Sequence, residues 1–134
     1  MLSQTNTLLG EPSLRFQRLY SDADGESHWE DVDVVLQERS FAPPAKAIEI
    51  SEPEKVENVL FLRLKAGWDE PIHPTPVSQK LICRSGTAQV TASDGEVRKI
   101  GPGDVWHMED RRGRGHRTVV TSEEDFEALI VQYE

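Results

Sequence analysis

Cysteine is almost missing from this chain: Cys83 stands alone, so no intramolecular disulfide can form and a cysteine-based zinc site is excluded. Such usage fits a reducing compartment. Long apolar runs are missing as well. The longest, Val59-Leu60-Phe61-Leu62, falls far short of a membrane span, and Met1 to Gly10 lacks both the basic and the apolar stretch of a signal peptide. The expectation is a soluble, cytoplasmic protein. Basic charge is also scarce, with 15 Lys and Arg against 24 Asp and Glu for a net charge of −9 that is spread over both halves. Nucleic acid and acidic membranes both require a basic footprint, which removes them as expected partners.

What is present is material for one core. With 134 residues, 37% of them hydrophobic and 29% charged, the chain is the size of a single domain and too apolar for a disordered tail. A single domain over 1–134 is expected, with residues 1–12 as a loose arm or a strand lent to a partner subunit. Short β-like runs recur between turn signals: Leu14–Tyr20, Val32–Gln37, Ala47–Ile50, Val59–Leu64, Gln79–Cys83, Thr87–Thr91, Glu96–Ile100, Val105–Met108, His116–Thr121 and Phe126–Tyr133. Spacing of this kind predicts an all-β sandwich or barrel. Asp94-Gly95 is the best hairpin tip, because glycine supplies the positive φ that a two-residue turn requires. At 122–133 two patterns collide. Ser122 and Asp125 resemble a capping box ahead of a helical stripe through Phe126, Leu129, Ile130 and Tyr133, while Leu129, Val131 and Tyr133 alternate as a strand face. The β-branched Ile130-Val131 pair favours the strand.

The informative stretch runs from Gly67 to His116. His73 and Thr75 each precede a proline, which forces them into extended backbone and sets their side chains on one face. Pro74 and Pro76 cannot donate to a ladder, so the segment belongs at a sheet edge or barrel mouth that a ligand can approach. Further along, Arg111, Arg112 and Arg114 form a basic knot just before His116. It reads first as a solvated loop paired with Glu109 and Asp110, and alternatively as a grip for a substrate carboxylate or phosphate. Trp68, Trp106, Phe61 and Tyr133 are expected inside the barrel, and Cys83, in phase with Gln79 and Leu81, reads as core rather than nucleophile. His28 is expected at the surface of an acidic loop over Asp22–Asp33.

The order Gly67, His73, Thr75, Gln79, Gly86 resembles the first signature of the cupin superfamily, Gly-x5-His-x-His-x3-Glu-x6-Gly, and Gly101-Pro102-Gly103-Asp104 followed by Gly113-Arg114-Gly115-His116 resembles the second. The resemblance implies a small jelly-roll β-barrel (a double-stranded β-helix) of the single-domain bacterial type, with the metal motif degenerate. Family metal sites use three histidines and one glutamate; here Thr75 replaces a histidine and Gln79 replaces the glutamate. The resemblance therefore implies a metal set of His73, Gln79 and His116, holding a divalent ion such as Zn, Fe, Ni or Mn weakly or not at all. It also implies that a homodimer is the default assembly.

Three function classes follow. The first is a small-molecule enzyme of isomerase, cyclase or lyase type acting on a small organic acid or similar metabolite. In it His73 and His116 exchange protons or hold a metal, and Thr75, Gln79, Arg111 and Arg114 orient the substrate. A binding cupin without turnover comes second. A metal-dependent dioxygenase is third, disfavoured by the missing histidine and glutamate.

Overall fold

The computed structural model describes residues 14–134, so the expected arm over 1–12 lies outside the described residues. Those residues divide into two compact units, one comprising residues 14–15 with Val32–Lys55 and the other Phe16–Asp31 with Val56–Glu134. Every element among the described residues is a strand, and none is a helix long and apolar enough to cross a membrane. The fold is all-β, as the alternation and the turn glycines predict.

In chain order the strands are β1 (Arg15–Ser21), β2 (Ser27–Asp33), β3 (Gln37–Arg39), β4 (Ile48–Ile50), β5 (Asn58–Leu64), β6 (Gln79–Ser85), β7 (Ala88–Ala92), β8 (Val97–Ile100), β9 (Val105–Glu109), β10 (His116–Val120) and β11 (Phe126–Gln132). β3 and β4 form an antiparallel pair of their own in the smaller unit. A six-stranded sheet runs β2-β1-β9-β6-β11-β5, and a three-stranded sheet runs β10-β7-β8. β1 lies parallel to β9, while β9, β6, β11 and β5 are joined antiparallel.

Period-two alternation places the core. β6 sends Leu81 and Cys83 inward, β9 sends Trp106 and Met108, and β11 sends Phe126, Ala128 and Ile130. From the smaller sheet come Ala88, Val90, Ala92, Ile100 and Val120, and the two inner faces close into one cluster. The chain around Asp94-Gly95 turns as expected, with Gly95 at φ +98° between β7 and β8.

Several details differ from the sequence expectation. β2 lies where an acidic loop was expected, since Ser27 and Trp29 are its buried residues and its charged residues face outward. The expected strand over Val32–Gln37 is interrupted, because residues 34–36 belong to no strand. β11 is the strand that Ile130-Val131 favoured, but its buried face is Phe126, Ala128 and Ile130; Leu129 and Val131 lie on the less buried side. Phe61 and Trp68 do not fill the interior: Phe61 is 85% exposed on β5, the last strand of its sheet.

Candidate functional site

The segment from Trp68 to Thr75 lies along the outer edge of β10, and this puts the site together. Val120 N–H donates to the Trp68 carbonyl (2.9 Å), and His73 and His116 exchange backbone bonds in both directions, 3.0 Å and 2.9 Å. The prolines after His73 and Thr75 hold the backbone extended for this pairing. Gly115 makes the approach possible: its φ is +81°, and a Cβ there would sit 2.1 Å from the His73 carbonyl carbon and oxygen. A further bond from Thr75 N–H to the Asp110 carbonyl (3.0 Å) ties the segment to the end of β9.

Two imidazoles therefore stand side by side, with ring centroids 5.2 Å apart. His116 is buried, and its Nδ1 lies 2.6 Å from Oδ2 of Asp110, which has no exposed surface. A carboxylate accepts and does not donate, so Nδ1 carries the proton and Nε2 is left for chemistry. The other Asp110 oxygen accepts the hydroxyl of buried Thr75 at 2.8 Å. His73 is oriented in the same sense: its Nδ1 donates to the Pro71 carbonyl at 2.9 Å, though its side chain is 46% exposed. One ring is sealed beneath the surface and the other stands at the entrance.

Glu70 faces both. Its Oε2 lies 3.9 Å from His116 Nε2 and 3.6 Å from His73 Nδ1. Its Oε1 accepts the Trp68 indole N–H (3.0 Å) and its Oε2 accepts the Thr118 backbone N–H (3.0 Å). The carboxylate is thus fixed from two sides. Glu70, His73 and His116 each offer one donor atom within 4.8 Å of the others, a two-histidine, one-carboxylate set of the kind that suits a divalent transition metal.

Behind these groups lies a cavity of about 180 Å³, walled by apolar side chains that include Leu81, Trp106, Met108, Phe126 and Ile130. The edge of the Trp106 ring meets His116 at 5.1 Å between centroids. Trp106 Nε1 is buried without an acceptor among the described residues.

The residues singled out from the sequence are placed as follows. His73, Thr75, Gln79 and His116 all line the cavity. The Thr75 hydroxyl is committed to Asp110, so this residue supports His116 from behind. The Gln79 amide oxygen accepts Gln132 Nε2 (3.0 Å) and its NH2 donates to the Met108 sulfur (3.1 Å). Arg111 pairs with Glu134 at 2.5 Å and Arg114 pairs with Glu26, both outside the cavity lining. Asp110 is not the partner of the arginines; burial hands it to His116. Glu70 belongs to the site although no signature position marks it. Its signal was faint: an acid three residues before a histidine in a proline-held segment.

Two other groups bear on the chemistry. Burial pushes the Cys83 thiol up to about 11, so it is a core residue with little thiolate at neutral pH. His28 lies between Asp22 (Nε2, 2.7 Å) and Asp94 (Nδ1, 2.9 Å), and these bonds raise its pKa while that of Asp22 is lowered, chiefly by His28.

The match to a family model agrees with this architecture. The family model described as Cupin domain matches residues 60–132, which is more than half of the chain. No curated protein matches. Among solved structures, a protein of unknown function from Rhizobium leguminosarum bv. viciae 3841 is 24% identical, over 56% of this chain and 67% of that one, with a TM-score of 0.47. The polyketide cyclase RemF from Streptomyces resistomycificus is 17% identical over 57% of this chain and 54% of its own length, at a TM-score of 0.46. A Cupin 2 conserved barrel domain protein from Salinispora arenicola CNS-205 is 20% identical, covering 75% and 76% of the two chains, at 0.46. On the strength of the family match, the chain belongs to the cupin family.

Proposed function

We propose that this cupin is a small-molecule enzyme in which His116 and Glu70 move protons on a compact substrate held in the cavity. One observation carries the reading: Asp110 holds His116 Nδ1 at 2.6 Å, which leaves Nε2 facing Glu70 across 3.9 Å at the edge of an apolar cavity. A base fixed in one tautomer, beside a second group able to give or take a proton, is the arrangement that isomerases, cyclases and lyases share. His116 takes the proton at Nε2, Asp110 steadies the imidazolium that results, and Glu70 stands where it can exchange a proton with the other side of the substrate. Thr75 keeps Asp110 in place, and the apolar wall excludes water from the transfer.

A metal has a fitting donor set here, although not the one implied by the signature positions. Gln79 spends its amide within the protein, and Glu70 supplies the carboxylate beside His73 and His116. A divalent ion at these three residues would occupy His116 Nε2 and the Glu70 carboxylate and would polarise a substrate oxygen in place of their proton transfer. Elemental analysis of tag-free protein distinguishes the two sets: Glu70→Ala, His73→Ala and His116→Ala are expected to lower the metal content, and Gln79→Ala is expected to leave it unchanged.

Proton transfer itself is tested by hydrogen–deuterium exchange at the carbon next to the carbonyl in a panel of compact ketones, followed by NMR. Wild type is expected to speed exchange of at least one ketone and His116→Asn to lose that acceleration. Equal rates in both proteins for every ketone would overturn the reading.

A further inference from the structure

The cavity also limits the charge of what enters it, and this deepens the proton-transfer reading by naming its substrate class. Among the described residues, no lysine or arginine lines the cavity. Of the three arginines that looked able to grip an organic acid, Arg111 is spent on Glu134 and Arg114 on Glu26, and Arg112 lies outside the cavity lining as well. Arg117, on the strand that carries His116, is bound through two nitrogens to Asp69, at 2.9 Å and 2.6 Å. The charged groups that remain are two carboxylates, Glu70 and Asp110, and two imidazoles, His73 and His116. With the carboxylates ionised and the imidazoles neutral, the group sums to −2 before any metal binds.

The hydrogen-bonding groups point the same way. Among the described residues, Trp106 Nε1 is a buried donor without an acceptor, and the Gln79 NH2 donates to a thioether sulfur. Sulfur is a weak acceptor, so that amide is readily redirected to an oxygen. The wall therefore wants an acceptor oxygen, and in the metal-free protein its side chains offer no cation to match a carboxylate, so burying that anion unpaired is strongly unfavourable. In volume, a cavity of about 180 Å³ exceeds only slightly the roughly 150 Å³ that holds a benzene molecule.

From these observations we infer that the cavity takes an uncharged carbonyl compound of about one ring with one substituent, and that Glu70 acts as a charge filter that rejects carboxylates. The small organic acid expected from the sequence is replaced by a neutral relative. Glu70 is then a specificity determinant as well as a proton carrier.

Benzamide and benzoate test this directly, since they share a shape and differ by one charge. Each is titrated into protein freed of metal by a chelator, and the side-chain NMR signals of Trp106 and His116 are followed. In wild type, benzamide is expected to bind at least about tenfold tighter than benzoate, because placing like charges together costs affinity. In Glu70→Gln and Glu70→Ala the preference should shrink to less than about threefold, mainly through a gain in benzoate binding. Both variants are needed because the Gln NH2 would face one of the two N–H groups that now donate to Glu70. Benzoate binding as tightly as benzamide in wild type, a preference unchanged in both variants, or no response of Trp106 and His116 to either probe would overturn the proposal. Binding is read without turnover, so a failure of proton transfer leaves this result standing, and the reverse holds as well.

Discussion

His116 and His28 both sit against carboxylates, yet they are opposite kinds of histidine. His116 is buried and has one nitrogen on Asp110, with the other turned toward a cavity. His28 is a third exposed and has a carboxylate on each nitrogen, Asp22 from the turn before it and Asp94 from the β7–β8 turn. Two occupied nitrogens make a clasp between turns. One occupied nitrogen makes an oriented base. The acid partner alone does not mark a functional histidine; what matters is whether a nitrogen remains for a ligand.

The largest effect that sharpens this contrast is expected from Asp110→Ala. It strands the His116 Nδ1–H and the Thr75 hydroxyl in the interior, and each buried donor left without a partner costs about 1–3 kcal/mol. Urea unfolding would measure it. Gly115→Ala comes next. Its Cβ meets the His73 backbone at 2.1 Å in a left-handed conformation, and overpacking costs about 1–3 kcal/mol, with His73 pushed away from His116. Loss of stability together with loss of bound metal is the expected outcome, read by melting and elemental analysis.

His28→Ala should have a smaller effect with a distinctive pH signature. A raised histidine pKa contributes stability that is complete below the ordinary value of about 6.5 and fades as pH rises through the raised one. The lowered Asp22 pKa contributes stability above the ordinary carboxylate value, lost only as pH falls through the depressed one. The clasp is therefore strongest in mildly acidic solution. Wild type and His28→Ala should differ in urea midpoint at about pH 5 and converge at about pH 9. The smallest effects belong to Arg111→Ala and Arg114→Ala, whose exposed ion pairs predict changes within about 0.5 kcal/mol and unaltered benzamide affinity.

The fold was legible because β6, β7, β9 and β10 alternate buried and exposed residues cleanly and glycine marks the Asp94-Gly95 turn. β2 was hidden by its own charge: four of its seven residues are His, Glu or Asp, and only Ser27 and Trp29 are buried. In the site, His73 and His116 were legible from prolines, glycines and signature spacing. The partners of the arginines were not, since Arg114 and Glu26 stand 88 residues apart and nothing local links them. Nor does the sequence distinguish Asp110, sealed in the interior, from Glu109 beside it; only the strand's end and its packing separate them.

The most direct test of the account is nitrogen-15 NMR of the imidazole rings in uniformly labelled protein, recorded before and after addition of benzamide. The account predicts that His116 carries its proton on Nδ1 in the neutral ring and that its Nε2 resonance moves on binding, while both His28 nitrogens stay still. A His116 ring protonated on Nε2 and bare on Nδ1, or a response at His28 in place of His116, would contradict it.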